Sequence, residues 1–197
     1  MNKIFMNMYY SNDFKVGLKI LFEKKPFCIE SVEFVKPGKG RAFSRVKLRN
    51  LLNNQLIEKT FRTTDYLLSA DVIDVKLTYI YHDSQYWYFM DPVYFNQFVL
   101  NKFIMGEKYK WIIEGKNYLI TLWNNLPISI ILDNFVVFKV ISILSEKELS
   151  NNLFIDNKYN FCKLHTGTIL KVPVFIKIGD MIKVDTRTGE YDSRFKK

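Results

Sequence analysis

The chain is a succession of short apolar runs broken by turn-forming residues, and almost nowhere does an apolar residue recur with a sustained helical period. That pattern confines it to an all-β fold, because such runs can bury a face only by pairing edge to edge. Residues 17–22 and 27–35 read as strands joined by a turn at Glu23, Lys24, Lys25 and Pro26. Residues 72–81 and 86–90 form a long hairpin turning at His82, Asp83 and Ser84, and 118–123 with 128–132 form another around Asn124 and Asn125. Further strands are expected at 135–143, 168–176 and 181–184, with turns at Gly179-Asp180 and at 186–189. One short helix is expected over 93–103, since Asp91 can cap it and Pro92 suits a first helical position. The runs group into three blocks, 1–69, 70–133 and 134–197, each the size of a small barrel and with no glycine- or serine-rich linker between them.

Charge separates these blocks. Lys and Arg number 29 against 20 Asp and Glu, a net charge of +9. Residues 1–70 hold 13 basic and 6 acidic side chains, 71–133 hold 5 and 7, and 134–197 hold 11 and 7. A polyanionic partner met through the outer blocks fits this distribution, and so does an ordinary solvated lysine-rich surface. Within 45–49 the residues alternate strictly, so Arg45, Lys47 and Arg49 share one strand face while Val46 and Leu48 point to a core. That stripe is either a nucleic-acid contact or a solvated edge protected from aggregation by its charge.

Several classes are excluded or disfavoured. The 48% hydrophobic content is that of a globular chain, and no apolar run reaches the roughly 20 residues of a membrane span. The first residues lack an apolar leader core, so a cytoplasmic protein is expected. Cys28 and Cys162 make no CxxC pair and read as buried thiols. No glycine-rich phosphate motif, GxSxG or HExxH is present. His82 and His165 each sit beside turn residues without a nearby nucleophile or ligand set, and neither a metal nor a paired acid and base is expected.

One segment concentrates chemistry: Lys36-Pro37-Gly38-Lys39-Gly40-Arg41. Pro37 presets φ and Gly38 is expected to supply a positive φ, giving a type II turn between strands ending at Val35 and beginning near Ala42. Gly38 and Gly40 strip side chains from both sides of Lys39, which leaves its ammonium alone at a tip, with Lys36 and Arg41 adding positive potential at the base. Taken alone, an exposed turn lysine explains this as well as a functional one.

Around that loop the sequence resembles bacterial translation elongation factor P. The resemblance runs through 9–14, 17–20, Glu33-Phe34-Val35-Lys36-Pro37-Gly38-Lys39-Gly40, 42–43, 45–49 and 58–61. It continues through 70–72, 77–79, 121–124, 127–129, 171–180 and 182–191, nearly the whole chain. The resemblance implies an L-shaped, tRNA-sized arrangement of three β-barrels, the first SH3-like of KOW type and the others OB-fold barrels. It implies a monomeric translation factor, not an enzyme, that binds both ribosomal subunits between the peptidyl and exit sites. There it would position peptidyl-tRNA for the peptidyl transferase and relieve stalling at consecutive prolines. Lys39 would carry a post-translational extension, β-lysine in members with a similar loop, added by a lysyl-tRNA-synthetase-like ligase. Lys36, Arg41, Arg45, Lys47, Arg49 and Arg187 would contact RNA. The other reading is a non-catalytic OB-fold RNA-binding module or RNA chaperone in which Lys39 is one charge among many. Two departures from the family stand out: residues 1–5 precede the usual start, which places initiation at Met1 or Met6, and 145–161 holds no glycine where the family has a loop implicated in exit-site codon contact.

Overall fold

The computed structural model describes residues 7–38, 40–144 and 158–195, and Lys39 and residues 145–157 lie outside the described residues. The all-β expectation is borne out. The first six strands are β1 (Met8–Tyr10), β2 (Lys19–Phe22), β3 (Lys25–Val35), β4 (Phe43–Asn50), β5 (Leu56–Arg62) and β6 (Tyr66–Ser69), in one sheet of order β1-β6-β2-β3-β4-β5. Alternation along β4 puts Val46 and Leu48 at 0% exposure, beside Ile20, Ile29 and Phe27. Phe14 meets Phe61 edge to face at 5.4 Å and Phe22 meets Phe27 at 5.7 Å, a geometry that aligns positive ring edges with negative ring faces.

The turn between β2 and β3 is shorter than the sequence predicts. Glu23 and Lys24 both take positive φ, 50° and 61°, the two-residue form whose twist matches the flanking strands. Pro26 therefore lies inside β3 opposite Leu21, and its carbonyl accepts the Leu51 N–H at 3.0 Å.

The second sheet comprises β7 (Val72–His82), β8 (Tyr86–Met90), β9 (Gln97–Asn101), β10 (Asn117–Trp123) and β11 (Leu126–Ile131), ordered β11-β10-β7-β8-β9. Asn124 and Asn125 turn β10 into β11 with φ of 50° and 63°. The helix expected over 93–103 is not formed. The Asp91 carboxylate does accept two backbone N–H groups, from Val93 at 2.7 Å and Tyr94 at 3.1 Å, but Phe95 at φ 59° returns its own N–H to the Asp91 carbonyl. That closes a turn and sends 97–101 back as a strand. Helix α1 is only Lys102–Met105, capped by the Asn101 side chain accepting the Ile104 N–H at 3.0 Å, and a 3₁₀ segment Gly106–Trp111 follows.

The third sheet is β12 (Phe135–Leu144), β13 (Tyr159–Leu164), β14 (Ile169–Pro173), β15 (Met181–Asp185) and β16 (Glu190–Arg194), ordered β14-β13-β12-β15-β16. Phe138, Val140, Leu164, Val172, Ile182 and Val184 form its core at 0% exposure, with Trp111 packed among them. Gly189, at φ 74°, brings its backbone against the Trp111 ring, where an added Cβ would lie 3.1 Å from Cζ2.

By compactness the chain forms two units, Met1–Lys76 with Leu119–Ile130, and Leu77–Tyr118 with Ile131–Lys197, so the strands of the second sheet contribute to both. Inside the first unit the Asp74 carboxylate accepts from Lys19 at 2.8 Å and from the Thr121 hydroxyl at 2.7 Å. Burial pushes this carboxyl up, and the hydrogen bonds from Lys19 and Thr121 together outweigh it, so it lies below the usual range. Among the described residues no helix is long and apolar enough to cross a membrane.

Candidate nucleic-acid interface

β3 and β4 are the longest-paired strands of the first sheet, matched from Phe27 opposite Asn50 to Val35 opposite Phe43. Their far end opens into residues 36–42, where Lys36, Pro37, Gly38, Gly40 and Arg41 are all exposed. The positive φ expected at Gly38 is found instead at Gly40, at 120°, and residues 36–38 form no hydrogen-bonded turn. Val35 pairs with Phe43, so the whole segment 36–42 joins the strands, long enough that no tight reversal at Pro37-Gly38 is required. A side chain at Gly38 would meet nothing within 4 Å. Lys36 sits 5.6 Å from the centre of the half-exposed Phe34 ring, and neither Lys36 nor Arg41 forms an ion pair among the described residues. The two cations at the loop base are thus free to meet an anion.

The stripe on β4 has the predicted orientation, with Arg45 and Lys47 exposed and Arg49 half-buried. Its charge is largely answered. Arg45 pairs with Glu33 on β3 at 3.2 Å and with Glu58 on β5 at 3.5 Å, and Arg49 with Glu30 at 2.6 Å. The hydrogen bond from Arg49 holds the Glu30 carboxyl below its ordinary value. Lys47 alone lacks an ion pair among the described residues, although Glu58 is its cross-strand partner. These acidic partners depend on strand register, including an irregularity between Ile29 and Ser31, which spacing along one strand cannot disclose.

Arg187 is more tightly held. Its Nε and one terminal nitrogen grip the Asp185 carboxylate at 3.0 and 2.6 Å, and the guanidinium lies 5.6 Å from the Phe135 ring centre, a ring that Lys183 also approaches at 4.3 Å. The side-chain and backbone hydrogen bonds from Arg187 hold the Asp185 carboxyl down to about 2. Asp185 and Phe135 escape a search for cations, although the two-residue spacing of Asp185 and Arg187 on one strand end is a usable signal.

Of the two thiols expected to be buried, Cys162 is and Cys28 is only half-buried, at a β3 position facing the less covered side of the sheet. Cys162 is buried and pushed up to about 11 by desolvation, and Cys28 is half-buried and raised by the same cause. Among the described residues no group of three or more His, Cys, Asp or Glu is placed to hold a metal. What the candidate residues assemble is a set of exposed cations, some free of ion pairs and some already neutralised.

Comparison with known proteins gives a consistent picture. The chain matches the elongation factor P KOW-like domain over residues 10–67, the elongation factor P OB domain over 72–130 and the elongation factor P C-terminal domain over 155–194. It is 49% identical over 191 residues to elongation factor P of Buchnera aphidicola subsp. Acyrthosiphon pisum, covering 97% of this chain and 100% of that protein. It is 51% identical to the same factor of Buchnera aphidicola subsp. Schizaphis graminum with the same coverage. Among solved structures, a translation initiation factor 5A from Methanococcus jannaschii matches with a TM-score of 0.50 at 17% identity, over 64% of this chain and 97% of that one. A family member of that factor from Naegleria fowleri matches with a TM-score of 0.52 at 16% identity, over 64% and 96%. At such identities these two likenesses speak for the fold alone.

Proposed function

The chain belongs to the elongation factor P family of translation factors, and on that premise we propose that it binds the ribosome beside peptidyl-tRNA and stimulates peptide-bond formation at consecutive prolines through an extended Lys39. The observation that carries this reading is the end of the β3–β4 hairpin. The residues on either side of Lys39 are exposed, and the two neighbouring cations, Lys36 and Arg41, have no carboxylate partner among the described residues. Proline is a conformationally restricted donor and acceptor, so a factor that holds peptidyl-tRNA in a reactive pose accelerates the step without supplying an acid or base. Each tenfold gain needs about 1.4 kcal/mol, within reach of a few charge-assisted hydrogen bonds from Lys39 and its extension.

The extension is β-lysine, joined as an amide to the Lys39 amine by a lysyl-tRNA-synthetase-like ligase, and the factor works as a cytoplasmic monomer. Phosphate contacts from Lys36, Arg41 and Lys47 position it, with Arg45, Arg49 and Arg187 contributing once their carboxylate partners are displaced or shared. The alternative, a general RNA-binding module, leans on the β4 stripe, and the pairing of Arg45 and Arg49 with glutamates takes weight from it. A reconstituted translation assay on a proline-run message separates the two. Lys39→Ala is expected to lose the stimulation entirely, whereas full relief by that variant would sink the proposal. Mass spectrometry of the protein from its own host should find the added β-lysine on Lys39.

A further inference from the structure

The second unit contains a cleft of about 720 Å³, a volume within the range of small-molecule sites. One wall is a ladder of rings. His82 and Trp87 lie within 14° of parallel at 6.1 Å, and Trp87 and Tyr109 follow at 5.4 Å and 33°. His82 is exposed and Tyr109 half-buried, so the ladder reaches solvent at both ends. The turn at 165–168 also lines the cleft, and there Gly167 has open space at its Cβ position and lets a ligand come close to backbone.

The hydrogen-bonding groups are equally specific. The Lys139 N–H donates to His165 Nδ1 at 3.2 Å, which fixes the neutral ring with its hydrogen on Nε2. His82 likewise meets the protein through Nδ1, 2.8 Å from the Tyr79 hydroxyl. Burial pushes that phenol up to about 12, so it keeps its proton at neutral pH. In both histidines Nε2 is the nitrogen left for a ligand, and the Glu114 carboxylate on the same lining is an acceptor. Lys110 lies over the Tyr109 ring and is paired with Glu107, so the cleft carries little net charge. A neutral flat ring with both donors and acceptors suits such a lining better than a bare phosphate does.

We propose that this cleft receives an unstacked base of single-stranded RNA, stacked against an exposed end of the His82–Trp87–Tyr109 ladder and hydrogen-bonded at its edge by the His165 Nε2–H group and Glu114. The strand, not a free nucleotide, is the occupant, because the one cation among the described residues of the lining, Lys110, is already paired with Glu107 while the whole chain, at +9, attracts a polyanion. This inference rests on the reading of the chain as an RNA-contacting factor.

The test uses the full-length protein without ribosomes. RNA hexamers of each base and the four nucleoside monophosphates are titrated, with tryptophan fluorescence and the imidazole nitrogen signals of the two histidines as readouts. A hexamer is expected to shift both histidine signals. Tyr109→Ala should weaken its binding by roughly five- to 150-fold, the worth of one base stack. Thr166→Trp, which puts a bulky side chain on the half-buried lining of the cleft, should weaken it comparably. Unmoved histidine signals at saturation, or wild-type affinity in both variants, would overturn the proposal, and so would a monophosphate binding as tightly as any hexamer. Lys39→Ala should leave this titration unchanged. A negative result alongside intact proline rescue therefore removes the cleft and leaves the function of the loop standing.

Discussion

The loop at 36–42 and the turn at 186–189 both place cations at the end of paired strands, yet only one presents them free. Lys36 and Arg41 form no ion pair among the described residues, and glycines flank Lys39 between them. Arg187 is gripped by Asp185 through two nitrogens and lies over the Phe135 ring. A count of positive residues treats these places as equal. Electrostatics does not, since a guanidinium already bound to a carboxylate releases little counterion when a phosphate arrives.

The largest expected effect tests this difference directly. Replacing Lys36 and Arg41 together with alanine should weaken ribosome binding by about tenfold or more and flatten the salt dependence of log K by roughly 1.4, from two contacts at about 0.7 each. Arg187→Ala should leave that slope unchanged, and an equal change from both would break the comparison. Next in size is a backbone contrast. Gly189→Ala forces a side chain into a left-handed position against Trp111, a cost of about 1 kcal/mol that should lower the melting temperature by roughly 2–4 °C. Gly38→Ala, in open space and without positive φ, should leave the melting temperature unchanged.

A smaller effect sharpens the case of β4. Glu33→Gln combined with Glu58→Gln releases Arg45 and should tighten RNA binding about two- to fivefold, the scale of an exposed ion pair. The last effect is read as a titration. The Asp185 carboxyl is depressed from 3.8 to about 2, so its contribution to stability is present above about pH 4 and is lost as pH falls toward 2. Carboxyl NMR should find its midpoint near 2, and Arg187→Ala should move that midpoint upward.

Much of the fold was legible because local chemistry and tertiary need agree. The Asn124-Asn125 pair turns a hairpin as its tolerance of positive φ predicts, and Val46 and Leu48 are buried as alternation requires. Where one local signal serves two outcomes the reading failed. Asp91 caps backbone N–H groups whether a helix or a turn follows, and the strand pairing of Gln97–Asn101 with β8 decides for the turn. Within the candidate interface, the loop and the face of the β4 stripe could be read from spacing. The glutamates that neutralise that stripe, and the cleft between Trp87 and His165, arise from residues far apart in the chain that only the folded sheets bring together.

The Asp74 carboxylate accepts at once from Lys19 and Thr121, and the unit containing them skips from Lys76 to Leu119. During synthesis the amino-terminal part therefore waits: its last partners leave the translating ribosome only after some forty further residues have been made. A chain cut short at residue 118 would keep all of β1 to β6 and still lack the hydroxyl that completes the Asp74 junction, so a truncation meant to isolate the loop-bearing barrel should extend through residue 130.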